Sequence, residues 1–220
     1  MKKIFYLGCL LSLAFVLVAC SQKTVIGDHD IVAQERPVGQ FTRIKAEGAF
    51  SLTIAASQSQ QRVSVTADKN LQAYILTEVK GQTLKVLTKR GFILSPAGPI
   101  QVQINVSKLD KLVTTDATQV NVTSVDSPSF ELVSTGNTHF TLTGKVNLAT
   151  YEMFGAIQLN AKNLLAEQVN LKINGTSSAD VFASKLMNLR IYDTSSVTYY
   201  GTPPIVNQAI FGAGKLKRIY

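Results

Sequence analysis

Residues 170–181, NLKINGTSSADV, and residues 188–199, NLRIYDTSSVTY, state one pattern twice. A polar-apolar alternation runs into a Gly or Asp, and a second alternation follows it. Period-two alternation over so few residues marks a strand with one buried face. Working back along the chain, the pattern returns in TYEMFGAIQLNA (150–161), ELVSTGNTHFTL (131–142) and KLVTTDATQVNV (111–122). The five segments align on Asp116, Gly136, Gly155, Gly175 and Asp193, at spacings of 20, 19, 20 and 18 residues. Self-similarity at such a period is the signature of stacked coils.

In this register the inward positions before each turn are Leu112, Leu132 with Phe130, Tyr151 with Met153, Leu171 with Ile173, and Leu189 with Ile191. After the turn they are Val120, Phe140, Leu159, Val181 and Tyr199. One coil cannot bury such a row alone, whereas a stack buries it continuously and pairs each strand edge with the next coil. The expected architecture is therefore all-β, a single-stranded right-handed parallel β-helix (a β-solenoid). The alternative is an antiparallel β-sandwich, which also shows short alternating strands between turns. The outward positions three residues before each turn read Val113, Val133, Glu152, Lys172 and Arg190, so Glu152 is expected beside Lys172. Helical patterning is confined to Asp68–Gly81, where Leu71, Tyr74, Ile75 and Val79 share a helical face, and to a turn over 163–169.

At the other end, Met1-Lys2-Lys3 precedes an uncharged apolar run, Ile4 to Val18, and then Ala19-Cys20, the order of a secretory signal. At 15 residues the run falls short of the ~20 that a spanning helix needs. Leu17-Val18-Ala19-Cys20 resembles the lipobox of bacterial lipoproteins. The resemblance implies cleavage between Ala19 and Cys20, with a thioether-linked diacylglyceryl group on Cys20 and two or three acyl chains, palmitate among them, in all. Ser21 in place of Asp implies sorting to the outer membrane of a Gram-negative cell. Cys9 lies inside the signal, so the mature chain has no second cysteine for a disulfide. The expected organisation is a signal peptide over 1–19, a lipidated N-terminus and polar linker over 20–37, and one β domain over 38–220. The domain would stand in the periplasm or at the cell surface.

The whole chain of 220 residues carries a formal charge of +8. Removal of the signal takes two lysines and leaves +6, with the cations scattered in no polybasic block. No nucleic-acid partner is expected. The membrane, through its lipid, and a glycan or another envelope protein are the expected partners.

GDHDIVAQERPVGQFTRIKAEGAFSLTI, VSVTADKNLQAYILTEVKGQTLKV and VTYYGTPPIVNQAIFGAGKLKRI together resemble the bacterial envelope family called putative autotransporter adhesin, head GIN domain. The resemblance covers about Val25 to Tyr220 and implies a β-helical domain on secreted or lipid-anchored proteins. Arg36 and Phe41 match the opening of the family pattern, Asp68 and Asn70 its "aD-x-N" turn, and Tyr200-Gly201 with Pro203 its "Y-G-x-P" close. It brings no catalytic residues. GDHD replaces a more glycine-rich opening, and GFILSPAGP looks like a local loop elaboration.

No reaction is legible in the remaining motifs. His29 and His139 are the only imidazoles, and no nucleophile elbow is present. GDHD lacks the recurring oxygen ligands of a calcium loop, and FGAGK (211–215) puts Leu216 where a phosphate loop needs Ser or Thr. No metal and no cofactor are expected. Glu131 and Glu152 would lie diagonally on neighbouring coils, about 7–8 Å apart, which keeps a polysaccharide hydrolase or lyase as the rival reading. The favoured reading is a non-catalytic envelope protein for adhesion, ligand binding or structure. Its candidate surface is an outward aromatic strip of Phe154, Phe182, Tyr192 and Tyr200.

Overall fold

The computed structural model describes residues 22–116 and 119–219. Ala19 and Cys20, on which the lipoprotein reading rests, lie outside them. The strands are β1 (Lys23–Ile26), β2 (Ile31–Glu35), β3 (Arg43–Glu47), β4 (Phe50–Ala55) and β5 (Arg62–Asp68). A 3₁₀ turn (Lys69–Tyr74) leads to β6 (Ile75–Lys80), β7 (Thr83–Thr88), β8 (Phe92–Ser95) and β9 (Ile100–Asn105). Then come β10 (Lys111–Thr115), β11 (Gln119–Gly175), β12 (Ser178–Asp193), β13 (Ser196–Tyr200), β14 (Ile205–Gly212) and β15 (Lys215–Ile219). The all-β expectation holds. Thirteen of the strands join in one curled, open sheet, and β1 pairs with β8 in a second.

From β10 onward, every pairing between distinct described strands is parallel. The register reproduces the sequence period: Leu112 lies beside Leu132, Leu171 beside Leu189, and Leu189 beside Gln208. β11 alone runs 57 residues, its extended backbone interrupted by positive-φ corners at Gly136, Gly155 and Gly175. The inward residues expected before the turns are all buried. Those after the turns are buried too, except Tyr199, which packs half-buried against the same core. Their columns differ from the expected one, because Leu159 lies beside Ala179, and Val181 lies beside Ala161. Both i and i+2 face inward here, and the column continues through a small alanine.

The corners explain the Gly/Asp spacing. A Cβ on Gly175 would lie 2.4 Å from the Gly155 carbonyl oxygen, and one on Gly155 would lie 2.4 Å from that of Gly136. Both glycines also have strongly positive φ, +123° and +122°. Asp116 and Asp193 hold the equivalent place at φ 60° and 67°, the left-handed region that Asp tolerates. Just past the corner, the Ser177 hydroxyl donates to the Gly155 carbonyl at 2.9 Å and accepts from the Ile157 N–H at 3.0 Å. Ser195 repeats the arrangement one winding on, donating to Gly175 at 2.7 Å and accepting from the Ser177 N–H at 3.1 Å. These hydroxyls bind backbone groups at the corner, where the Gly155 carbonyl also accepts the Thr176 N–H at 3.0 Å.

Three local expectations are corrected. Residues 163–169 are strand within β11, with Leu164, Ala166 and Val169 buried, because pairing with β12 overrides their helical propensity. Over Asp68–Gly81 the helical part stops at Tyr74, and Val79 belongs to a strand antiparallel to β7. Of the expected 20–37 linker, the described residues 22–37 are not simply polar tether, since β1 pairs with β8 and β2 pairs antiparallel with β5. Their side chains are mostly exposed, so the sequence reads as tether while the backbone hydrogen bonds build sheet edges.

Candidate functional site

The windings place equivalent outward residues side by side on the face carried by β11, β12 and β14. Asn170, Asn188 and Asn207 are in register. The Asn188 amide donates to the Asn170 oxygen at 2.8 Å, and the Asn207 amide donates to the Asn188 oxygen at 2.9 Å. Such hydrogen bonds add about 1 kcal/mol each and hold the amides flat along the stack. Two residues further along, Lys172 lies beside Arg190. A groove of about 460 Å³ runs over these rows, from Thr150 and Glu152 on one winding to Asn207 and Ala209 on the last.

The expected Glu152–Lys172 ion pair is absent from these described residues, although both side chains line the groove. Lys172 instead holds its ammonium over the Phe154 ring, 5.5 Å from the centroid. Among the described residues, no carboxylate comes within ion-pair distance of Arg190. Beneath the groove, burial pushes the Tyr151 hydroxyl pKa up, so it stays neutral inside the stack.

The four aromatics of the expected strip divide between two faces. Tyr192 lies beside Phe211, their rings stacked at 5.1 Å and 12°. Phe182 lies beside Tyr200 on the part of the winding beyond the corner. Phe154 stands at the Lys172 edge of the groove. Phe211, 54% exposed, is the most open of the stacked aromatics, and the strip had omitted it. The amide row was equally missed. Its signal was present in Asn170-Leu171-Lys172 and Asn188-Leu189-Arg190, where attention to inward leucines passes over what flanks them.

The residues matched to the family pattern near the N-terminus are structural. Asp68, fully buried, accepts N–H bonds from His29 at 2.9 Å and Ala97 at 3.1 Å. Burial pushes its carboxyl pKa up, and those N–H groups outweigh that and hold it below the usual range. The Asn70 side chain accepts from Asp28 N–H at 3.1 Å and donates to the Ile26 carbonyl at 2.7 Å. The GDHD loop is thereby clamped from below. Arg36 donates to the carbonyl and the side-chain oxygen of Gln72, at 3.2 and 2.6 Å. Among the described residues no group of three acidic, His or Cys side chains is disposed to hold a metal, and no helix is long and apolar enough to cross a membrane. Of the candidate acid pair, Glu131 is engaged by the Lys111 ammonium at 2.8 Å.

The described residues form a nearly all-β protein, a curled, open sheet with rows of amides and cations on one outward face. The chain belongs to the family described as "Putative auto-transporter adhesin, head GIN domain", whose model matches residues 40–203. It is 27% identical over 169 residues to "Uncharacterized lipoprotein YajG" of Escherichia coli K12, covering 74% of this chain and 84% of that one. Its fold is shared with a crystal structure titled a putative adhesin of Bacteroides fragilis, at TM-score 0.64, 16% identity, 89% of this chain and 100% of the other. It is shared also with a "Putative lipid binding protein" of Parabacteroides distasonis, at TM-score 0.56, 19% identity, 90% and 100%.

Proposed function

We propose that this chain is a non-catalytic lipoprotein of the bacterial envelope, a β-solenoid that presents the β11–β12–β14 face as a binding surface. In this reading residues 1–19 are removed, Cys20 carries the lipid, and the domain stands at the outer membrane, on its periplasmic side or at the cell surface. The observation that carries the reading is family membership over residues 40–203. The lipobox-like Leu17 to Cys20 and the likeness to a protein named a lipoprotein supply the address. The groove supports binding over catalysis, since it presents a repeated row of amides and cations, and Glu131 is engaged by Lys111.

Two measurements test this. Mass spectrometry of the chain from native membranes should find Cys20 as the first residue with diacylglycerol and an amide-linked acyl chain, and Cys20→Ala should leave the membrane fraction. An unmodified Cys20 in membranes contradicts the address. The chain should cleave no polysaccharide, and cleavage that Glu131→Gln with Glu152→Gln abolishes contradicts the non-catalytic reading.

A further inference from the structure

We infer that the groove over β11, β12 and β14 recognises a negatively charged sugar chain, an inference that rests on the binding reading above and specifies its ligand. The first reason is electrostatic. Lys172 and Arg190 are lateral neighbours on parallel windings, and like charges so placed are mutually destabilising. Glu152 shares the groove, yet neither cation takes it as an ion-pair partner. Two adjacent cations without an internal counter-ion form a site that an external carboxylate or phosphate relieves, and the guanidinium fork suits either anion bidentately.

The second reason is the row beside them. In the Asn170–Asn188–Asn207 ladder each internal hydrogen bond uses one amide proton, so every Asn keeps a donor, and Asn207 also keeps its acceptor oxygen. Windings repeat every 4.8 Å or so, so the groove offers polar contacts over about 14 Å across its four windings. A sugar chain, with hydroxyls at each unit, matches a periodic row of donors and acceptors held flat by their own ladder. The third lies two residues beyond the Arg190–Ala209 pair that lines the groove, where Phe211, stacked on Tyr192 and 54% exposed, gives the C–H face of a sugar ring an aromatic surface. A fully apolar partner would leave the amides and cations desolvated and unpaired, and a flat anionic bilayer makes no use of the amide row.

The test uses the full lipidated chain in detergent micelles. The probes are oligogalacturonate for carboxylate, a phosphomannan fragment for phosphate, neutral dextran, and phosphatidylglycerol vesicles. Both acidic sugars should bind at least tenfold more tightly than dextran. Lys172→Gln and Arg190→Gln should each weaken them at least fivefold with unchanged melting temperature, and raised salt should do the same. Phe211→Ala should weaken acidic and neutral sugars alike. Preference for one acidic sugar assigns the anion. Equal binding of dextran, binding to the vesicles alone, or affinities indifferent to both cation substitutions overturns the inference. Dextran binding that Phe211→Ala abolishes would overturn the acidic ligand while leaving the binding reading standing. No probe bound would remove both the inference and the binding reading.

Discussion

From Lys111 to Ile219 every pairing between distinct described strands is parallel, whereas residues 23–105 mix parallel with antiparallel pairs and are tied together by side chains. In the first region Gly or Asp recurs at one place in the turn, and the corner from Gly136 through Gly155 to Gly175 is packed backbone on backbone. In the second, the equivalent job is done by single buried groups: Asp68 beneath the GDHD loop and Gln72 gripping Arg36. The Gln72 amide also donates to the Val32 and Val65 carbonyls, at 2.9 and 3.1 Å. Repetition distributes stability over many like contacts, and the irregular end concentrates it in few.

The contrast breaks first at the corners. Gly155→Val puts a branched side chain against the Gly136 carbonyl at positive φ and should cost about 4 kcal/mol or more, or abolish folding. Gly98, with nothing within 4 Å of an added methyl and no positive φ, should tolerate Ala within about 0.5 kcal/mol in the same denaturation assay. Next is the core column. Leu171→Ala removes a side chain only 3% exposed and should cost about 2–5 kcal/mol by urea unfolding.

Acid should find the irregular end. Asp68 has its pKa held below the usual range despite burial, and so does Asp110, whose burial is outweighed by Lys108 at 2.9 Å and the Ser127 hydroxyl at 3.1 Å. A lowered native pKa means that the unfolded chain binds more protons. The stabilisation is therefore full above the ordinary carboxylate value of about 4 and is lost as pH falls through the lower native values. Melting temperature should drop across that window, and Asp68→Asn should lower it at pH 7 while flattening the acid limb. An unchanged acid limb in that variant would deny Asp68 its clamping role. The smallest effect belongs to the exposed Lys111–Glu131 pair: with side chains 35% and 39% exposed, Lys111→Gln should cost under about 1 kcal/mol and less in salt.

The same division decides how much could be read in advance. Leu132, Tyr151, Leu171 and Leu189 announce the stack because their neighbours sit at a fixed offset in the sequence, so a period finds them. β1 and β2 pair at no such offset, and their side chains are mostly exposed, which is why these residues resemble a linker. The site divides likewise. Lys172 and Arg190 fall on the expected outward row, but the turn of Lys172 onto Phe154 is a choice of rotamer, which no periodicity contains. Tyr192 and Phe182 look equivalent as outward aromatics. A corner separates them, and only the register shows Tyr192 meeting Phe211 while Phe182 meets Tyr200.

Lys172 and Arg190 lie side by side in the parallel β11–β12 register that aligns the rows of the groove. In a parallel pair their Cα atoms are about 4.8 Å apart, inside the roughly 4.4–6.8 Å that a disulfide spans. Mild oxidation of the chain carrying Lys172→Cys with Arg190→Cys should close an intramolecular bridge, seen by mass after digestion. Failure of that pair, with closure of Asn170→Cys to Arg190→Cys in its place, would mean a slipped register and would contradict the account.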